Sequence, residues 1–418
     1  MPKKKKEILQ PEYMSRFICI GGACEDNCCA DPWNIFVDKK TFLKYRDVKD
    51  QEIKAVLDKV VKRYRGKDAS DMQYASFRLR REGGVCAFLT QEQTCYLQAK
   101  LGYENLCDVC AIYPRQYKIA DKKLERAATM SCPEVVRMAL DNPEGIAFET
   151  IEEGPTTGRI PARAPSIDTK NTKFAAKPAK WFWEIRLYCL SILQNRLYTL
   201  SQRFIILGML CQKLDEYERE GRVEEIPAML GLFGAGVEDG SLKPELDAVP
   251  GNFQIQLKFA KELTDNRLRS ELVASRIYME CVKETLAGLN FFVDTPAADI
   301  LEKYVSNRDD YVSAYLKEKE YVLENFFVNE SFMNMMPFNT NTCWESYLHM
   351  CVLYGMLKLH LNGMAGHHKG LTDEVVFRLI QSFAKVVIHN KNFIPNMVKL
   401  IKESEFDTLA WMTILVND

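Results

Sequence analysis

Nine of the fourteen cysteines lie in the first 132 residues, where an even scatter would put about four. They are Cys19, Cys24, Cys28, Cys29, Cys86, Cys95, Cys107, Cys110 and Cys132. Thiolates are soft ligands that suit zinc and iron–sulfur centres. Cys19 to Cys29 read C-x4-C-x3-C-C, with Gly21 and Gly22 allowing backbone amides to approach a sulfur. Cys86 and Cys95 are spaced C-x8-C. Cys107 and Cys110 form C-x2-C, a chelating spacing of zinc and iron–sulfur sites, and Ser131-Cys132-Pro133-Glu134 closes the set. Side chains of adjacent cysteines diverge, so Cys28 and Cys29 can serve different centres. This region has no histidine, which excludes Cys2His2 and Cys3His zinc sites within it. Eight or nine thiols allow one cluster plus a structural site, or two centres.

Other chemistry-bearing residues give less. Cys189, Cys211, Cys281, Cys343 and Cys351 are scattered through apolar helical sequence and read as small buried hydrophobes. All five histidines are in the second half: His349, His360, His367, His368 and His389. His367 and His368 read as solvated loop residues. His349 and His360 are three helical turns apart and cannot share an ion. Gly231 to Gly236 imitates a phosphate loop, but lacks the preceding strand, and reads as an ordinary loop. No P-loop, Ser nucleophile elbow or dinucleotide-binding pattern is visible. Trp181-Phe182-Trp183 reads as a core anchor.

The elements that must position these residues fall into three stretches. Residues 1–140 form a cysteine-rich metal-binding domain with little β. Within it, Ile53, Val56, Leu57, Val60, Val61 and Tyr64 mark one face of a helix within Arg46–Arg65, stopped at Gly66. Ile35–Asp38 predicts a short strand, and Tyr117–Ala120 with Leu124–Met130 predicts a hairpin. Residues 141–180 are rich in Gly, Pro and Thr and read as a linker. Residues 181–418 read as an all-α helical domain, with segments at about Trp181–Arg219, Phe253–Leu286, Ala297–Asn325, Trp344–Leu361, Thr372–Asn390 and Met397–Val416. The fold class is therefore mainly α.

Composition bounds the function. With 418 residues and a net charge of −1, the chain has no basic surplus for general nucleic-acid binding and is no acidic disordered segment. Its longest apolar run, Phe204–Cys211, is too short for a membrane span. Lys3–Lys6 is followed by no apolar signal region and reads as a solvated tail. A cytoplasmic protein without membrane or nucleic-acid partners is expected, and its reduced thiols then favour metal over disulfides.

The cysteine pattern resembles the flagellin lysine N-methylase family, related to the cysteine-cluster zinc- or iron-chelating proteins. The resemblance is carried by Arg16-Phe17-Ile18-Cys19, Cys24-Glu25-Asp26-Asn27-Cys28-Cys29, Trp33, Val37-Asp38, Cys86-Ala87-Phe88-Leu89, Cys95, Gly102, Leu106, Cys110-Ala111-Ile112-Tyr113-Pro114-Arg115 and Ser131-Cys132-Pro133-Glu134. It covers residues 13–140 by motif; the helical remainder is similar in length and character. The resemblance implies methyl transfer from S-adenosylmethionine to flagellin lysines, with a [4Fe-4S] cluster rather than zinc. Its metal ligands are then Cys19, Cys24, Cys28, Cys29, Cys86, Cys95, Cys110 and Cys132, with Cys107 an addition to the family pattern. The C-x3-C-x2-C run of radical S-adenosylmethionine enzymes is absent, and Cys24-x3-Cys28-Cys29 supplies only its first half.

Such a reaction needs a neutral amine. An unperturbed lysine has a pKa of about 10.4, so deprotonation at pH 7 costs about 4–5 kcal/mol. A sulfonium or an apolar channel shifts it. On this reading Trp33 and Tyr113 face the cofactor cation, with Tyr13, Phe17 and Tyr117 as further aromatics. Arg115 binds the methionyl carboxylate, and Asp38 and Glu134 contact the amine or act as base. The alternative is a non-enzymatic zinc- or iron-binding module whose helical domain binds a partner.

Overall fold

The computed structural model describes residues 6–30, 35–78, 85–153, 164–270 and 275–417. It is mainly helical, with 61% helix and 10% strand. Among the described residues no helix is long and apolar enough to cross a membrane.

The N-terminal part is built on two sheets, more β structure than expected. Its strands are β1 (Lys6–Pro11), β2 (Phe36–Val37), β3 (Val61–Arg63), β4 (Ala75–Phe77), β5 (Arg115–Ala120), β6 (Lys123–Ala128), β7 (Phe148–Glu153) and β8 (Ser166–Ile167). Five make a mixed sheet in the order β7-β1-β6-β5-β8, and three make an antiparallel sheet β2-β4-β3. The hairpin expected around residues 117–130 is β5 and β6. Asp121 and Lys122 take positive φ of 47° and 70° at its turn, as tight hairpin turns require. The Asp121 carboxylate then accepts from Thr169 N at 2.8 Å and Trp183 Nε1 at 2.8 Å.

Two corrections concern this sheet. The N-terminal residues were read as a tail, but Lys6 opens β1, which pairs parallel with β6 and antiparallel with β7. Lys3–Lys5 lie outside the described residues. The stretch 141–180, read as a linker, supplies β7 and β8. Phe148-Glu149-Thr150-Ile151-Glu152-Glu153 is an edge strand with charged side chains, so its polarity mimics a loop. Ile8, Leu124 and Ile151 stack across β1, β6 and β7 to close a small core.

Among the described residues six short helices accompany the sheets: α1 (Tyr13–Arg16), α2 (Lys39–Arg46), α3 (Gln51–Val60), α4 (Tyr96–Leu101), α5 (Asp108–Ile112) and α6 (Pro133–Leu140). The helix expected up to Arg65 stops at Val60. β-branched Val60-Val61 leads directly into β3, and the cross-strand partners of β4 override the helical period.

Among the described residues twelve helices follow: α7 (Phe182–Leu193), α8 (Leu200–Arg219), α9 (Ile226–Glu238), α10 (Lys243–Asp247), α11 (Phe253–Ser270), α12 (Arg276–Gly288), α13 (Ala297–Asn307), α14 (Ser313–Asn334), α15 (Cys343–His368), α16 (Asp373–Phe383), α17 (Phe393–Glu403) and α18 (Leu409–Val416). Gly231–Gly236, read as a loop, lies inside α9. Ile226, Met229, Leu230 and Val237 of the same helix are buried and offset the propensity cost of its glycines. His367 and His368 end α15 rather than a loop. α15 is the spine and packs on α8, α11 and α12. It meets α12 so closely that a Cβ on Gly288 would lie 1.8 Å from Gly363 O; only glycine fits there.

The large helical core also takes in Tyr13, Phe17, Ala128, Met130 and the inner face of α6. α6 packs on α14 and α16. Across this joint Arg186 of α7 holds Glu125 of β6 through a fork at 2.5 and 2.9 Å, both side chains 2% exposed.

Candidate metal centre

Three cysteines sit where helices begin. Cys95 caps α4, Cys107 caps α5 and Cys132 caps α6. Backbone amides of Leu97 and Gln98 point at the Cys95 sulfur, and those of Glu134 and Val135 at Cys132. Such amides favour thiolate. Cys110 lies one turn into α5, so it faces Cys107. Cys28 and Cys29 stand on a loop locked by Asn27, which donates to Gln93 O at 2.7 Å and accepts from Cys29 N at 2.9 Å. A Cβ on Gly22 would lie 2.7 Å from Glu92 O, so glycine permits this loop to touch the 90–94 turn. Cys86 N donates to Cys29 O at 2.9 Å and joins the third segment.

The thiols fall into an inner and an outer set. The Cys29 thiol contacts those of Cys28, Cys86 and Cys95, and Cys110 contacts Cys107 within electrostatic reach of Cys86 and Cys95. Cys86 and Cys107 are buried in the core beneath the three-stranded sheet; Cys29, Cys95 and Cys110 pack against it. Cys107, which the family resemblance leaves out, is fully buried. The outer set is Cys19, Cys24 and Cys132, with Cys28 between the two. Cys19 and Cys28 are exposed, and Cys132 senses Cys24 and Cys19. All these cysteines are free thiols.

Their ionisation is strained. The neighbouring thiols push Cys29 far above the usual range, and Cys107 does the same to Cys110. Burial raises Cys24 to about 11 and Cys132 to about 12. Cys95 falls to about 6, because Cys29 donates to it and the α4 amides assist. Buried thiols this close cannot all ionise unless a cation joins them, which is what a thiophilic metal supplies. No three cysteine sulfurs among the described residues lie within 4.8 Å of one another. A tetrahedral zinc site needs roughly 3.8 Å between sulfurs, given metal–sulfur bonds of ~2.3 Å. A cluster whose own iron and sulfide separate its thiolates fits the wider spacing.

Against the outer set lies a polar seam that joins the two halves. Tyr113 OH meets Ser131 Oγ at 3.1 Å, and Ser131 Oγ meets His389 Nε2 at 2.7 Å. Thr129 Oγ1 is 3.2 Å from the same nitrogen. Gln381 Nε2 donates to Ser131 O at 2.7 Å and to Asp26 Oδ2 at 2.6 Å. Lys385 Nζ pairs with Asp26 Oδ2 at 2.7 Å, at 5% and 11% exposure. Lys385 and His389 come from the π-helical turn Ala384–Ile388 and its end. Burial lowers His389 to about 4, so its ring is neutral at pH 7, and burial raises Tyr113.

The residues singled out from sequence scatter around this seam. Tyr113 is within electrostatic reach of Cys132 and Cys28. Glu134 is beside Cys132 and accepts from Arg137 at 3.0 Å, which also holds Glu25 at 2.6 Å. Arg137 lines a cavity of about 250 Å³ with Arg16, Met138, Asp141 and Asn142. Arg115 opens β5 and stacks over Phe17 at 5.0 Å. Asp38 caps α2 by accepting from Thr41 N at 2.9 Å, a structural use. Trp33 lies outside the described residues. Tyr13, Phe17 and Tyr117 are core. Asp26 was quoted only as part of a motif, His389 only as one of five histidines, and Gln381 and Lys385 carried no signal, because their partners Asp26 and Ser131 are distant in sequence. Elsewhere Glu284, His367 and His368 bring ligand atoms within 4.8 Å of one another. Glu284 is already engaged by Arg378 and His368.

Residues 186–415 match the FliB lysine N-methylase C-terminal domain family. Over 414 residues, 96% of each chain, the sequence is 22% identical to a protein of Salmonella typhimurium named Lysine-N-methylase. A Lysine-N-methylase of Salmonella choleraesuis is also 22% identical, over 417 residues and 96% of each chain. The Flagellar biosynthetic protein FliU of Salmonella muenchen is 28% identical over 146 residues, 35% of this chain and 83% of that one. No solved structure matches.

Proposed function

The chain belongs to the FliB lysine N-methylase C-terminal domain family, and on that premise we propose that it is a cytoplasmic S-adenosylmethionine-dependent protein-lysine N-methyltransferase acting on flagellin. The observation that carries this reading is the buried polar seam placed against the cysteines. Its residues come from both halves of the chain, and a simple chelating module has no use for them.

The donor set fits an iron–sulfur cluster: Cys19, Cys24, Cys28 and Cys132 would hold a [4Fe-4S] cluster at the seam, with Cys29, Cys86, Cys95 and Cys110 behind them. S-adenosylmethionine supplies the methyl group, and the cluster a soft, redox-active neighbour. The remaining steps belong to this chain's side chains. Tyr113 OH, Ser131 Oγ and Thr129 Oγ1 offer hydroxyls that orient a lysine Nζ. His389 stays neutral, and Lys385 is cancelled by Asp26, so the seam is polar without net charge. A desolvated, uncharged site disfavours the ammonium and favours the reactive amine. Glu134, held by Arg137, is the carboxylate nearest Cys132 in sequence and the candidate proton acceptor. Tyr113 and Arg115 are the candidate cofactor contacts.

Anaerobically purified protein incubated with flagellin and methyl-labelled S-adenosylmethionine should label flagellin lysines. His389→Ala should lower the rate by about 10–100-fold with metal content unchanged. Metal-loaded protein that transfers no label to flagellin would leave the metal-binding module as the function.

A further inference from the structure

We propose that Glu284, His367 and His368 form a solvent-accessible binding site for a divalent metal ion of the zinc and nickel class. It lies in the helical half, where α12 and α15 end side by side, outside the cysteine-rich segment. It stands independently of the functional reading.

Three observations carry it. The first is donor geometry. Each of the three side chains brings a ligand atom within 4.8 Å of the other two, and His368 Nε2 lies 3.1 Å from Glu284 Oε2. Metal–ligand bonds of ~2.1 Å place neighbouring donors ~3.0–3.4 Å apart around an ion. His368 and Glu284 therefore already span one edge of a coordination shell. The His367 ring meets that of His368 edge-on at 4.9 Å, and both rings are exposed, so a small rotation of His367 completes the set.

The second is the scaffold. Adjacent residues on a helix point about 100° apart, which keeps neighbouring histidines off one ion, but here the helix stops. Lys369 turns to φ 59° and Gly370 N donates back to Ala365 O at 3.0 Å. Glu284 comes from α12, one turn before its end at Gly288. A Cβ on Gly288 would lie 2.6 Å from His367 N, so the glycine contact that joins the two helices also sets the carboxylate against the imidazoles.

The third is electrostatics. The free carbonyls of two helix C-termini meet at this point and favour a cation. Glu284 adds a carboxylate, and the cation that holds it is Arg378 of α16. Imidazole and carboxylate suit zinc, nickel and ferrous iron. Three protein ligands leave positions for water, as in open metal sites, and Glu284 and His368 are 17% and 32% exposed.

The test uses the full chain without a histidine tag, purified anaerobically, with nickel(II) as the probe in isothermal titration calorimetry. The cysteines are the same in every variant, so a difference between variants belongs to this site. The parent should bind one more nickel ion than His367→Ala/His368→Ala. Glu284→Gln should weaken that step by more than ~100-fold, beyond the ~10–100-fold that losing an outer partner costs. Arg378→Gln should tighten it about tenfold, because it removes the cation that contests Glu284. All four side chains are at least partly open to solvent, and unchanged urea midpoints without nickel establish that the variants fold. Equal nickel counts in the parent and His367→Ala/His368→Ala would overturn the proposal and assign the added ion to the thiols. So would an affinity that Glu284→Gln leaves unaltered, or one that falls in Arg378→Gln. Methyl transfer enters none of these readouts, so an inactive protein that binds nickel here would sink the functional reading alone.

Discussion

The small core under β2-β4-β3 and the large helical core both hold cysteines, and they use them differently. In the small core Cys29, Cys86, Cys95, Cys107 and Cys110 converge from separate loops and touch. In the large core Cys189, Cys211, Cys281, Cys343 and Cys351 are buried side chains on helices. Burial alone lifts Cys189 to about 12, and Cys211 and Cys343 go well above the normal range. Cys211 is within electrostatic reach of Cys189, Cys343 and Cys351. Nearness of thiols in a core is therefore not a centre. Chain segments that end on cysteines, with amides aimed at sulfur, make the difference.

The two regions act as one protein only if the joint between them holds, and that is where the largest effect is expected. Arg186 and Glu125 are both buried, and Arg186 also donates to Phe332 O at 2.8 Å. Arg186→Leu leaves the Glu125 carboxylate buried without its partner. It should cost about 3–5 kcal/mol in urea unfolding. The double variant Arg186→Leu/Glu125→Leu should recover most of that loss. Equal losses in the single and double variants would mean that the joint is held by packing instead.

A second group at the joint sharpens the comparison through pH. Glu330 on α14 is 1% exposed, and Oε2 accepts from Asn334 at 3.1 Å while Oε1 has no partner. Burial raises its carboxyl to about 8 from 4.5. The unfolded chain ionises from pH 4.5 upward, whereas the folded one stays protonated until about 8. Stability from this group is thus full below pH 4.5 and is lost as pH rises to 8, by up to about 5 kcal/mol. Glu330→Gln cannot ionise. Its stability relative to the parent should climb across that window and level off above it. A flat difference in urea midpoints from pH 5 to 8 would show that Glu330 is solvated.

What the sequence made legible follows from the range of each interaction. The hairpin of β5 and β6 and the helical character of residues 181–418 rest on local period and turn chemistry, and both were readable. The spacing of the cysteines announced a cluster, and Cys29, Cys86, Cys95, Cys107 and Cys110 do gather around one small core. β1 was not, because Lys6–Pro11 becomes a strand only by meeting β6 and β7, more than a hundred residues away. The seam was half readable. Asp26, Tyr113 and Ser131 lie in cysteine motifs, but Gln381, Lys385 and His389 join them from the far end of the chain. Asp38, singled out with the Val37-Asp38 motif, stands in the structure as the N-cap of α2.

The smallest expected effect separates the two kinds of cysteine most cleanly. Cys211→Ala removes one sulfur from α8, where it is fully buried among apolar neighbours. The loss should be about 1 kcal/mol, the burial of one small side chain, with iron, sulfide and zinc contents unchanged. Cys107→Ala removes the same atom from a site equally buried, so the transfer cost alone is the same. If Cys107 only fills space, the two variants should unfold at similar denaturant concentrations and carry the same metal. If it ligates, Cys107→Ala should lose metal and exceed the Cys211→Ala loss by the linked binding energy. The difference between the two variants isolates ligation from packing, because residue type, burial and atom removed are held constant.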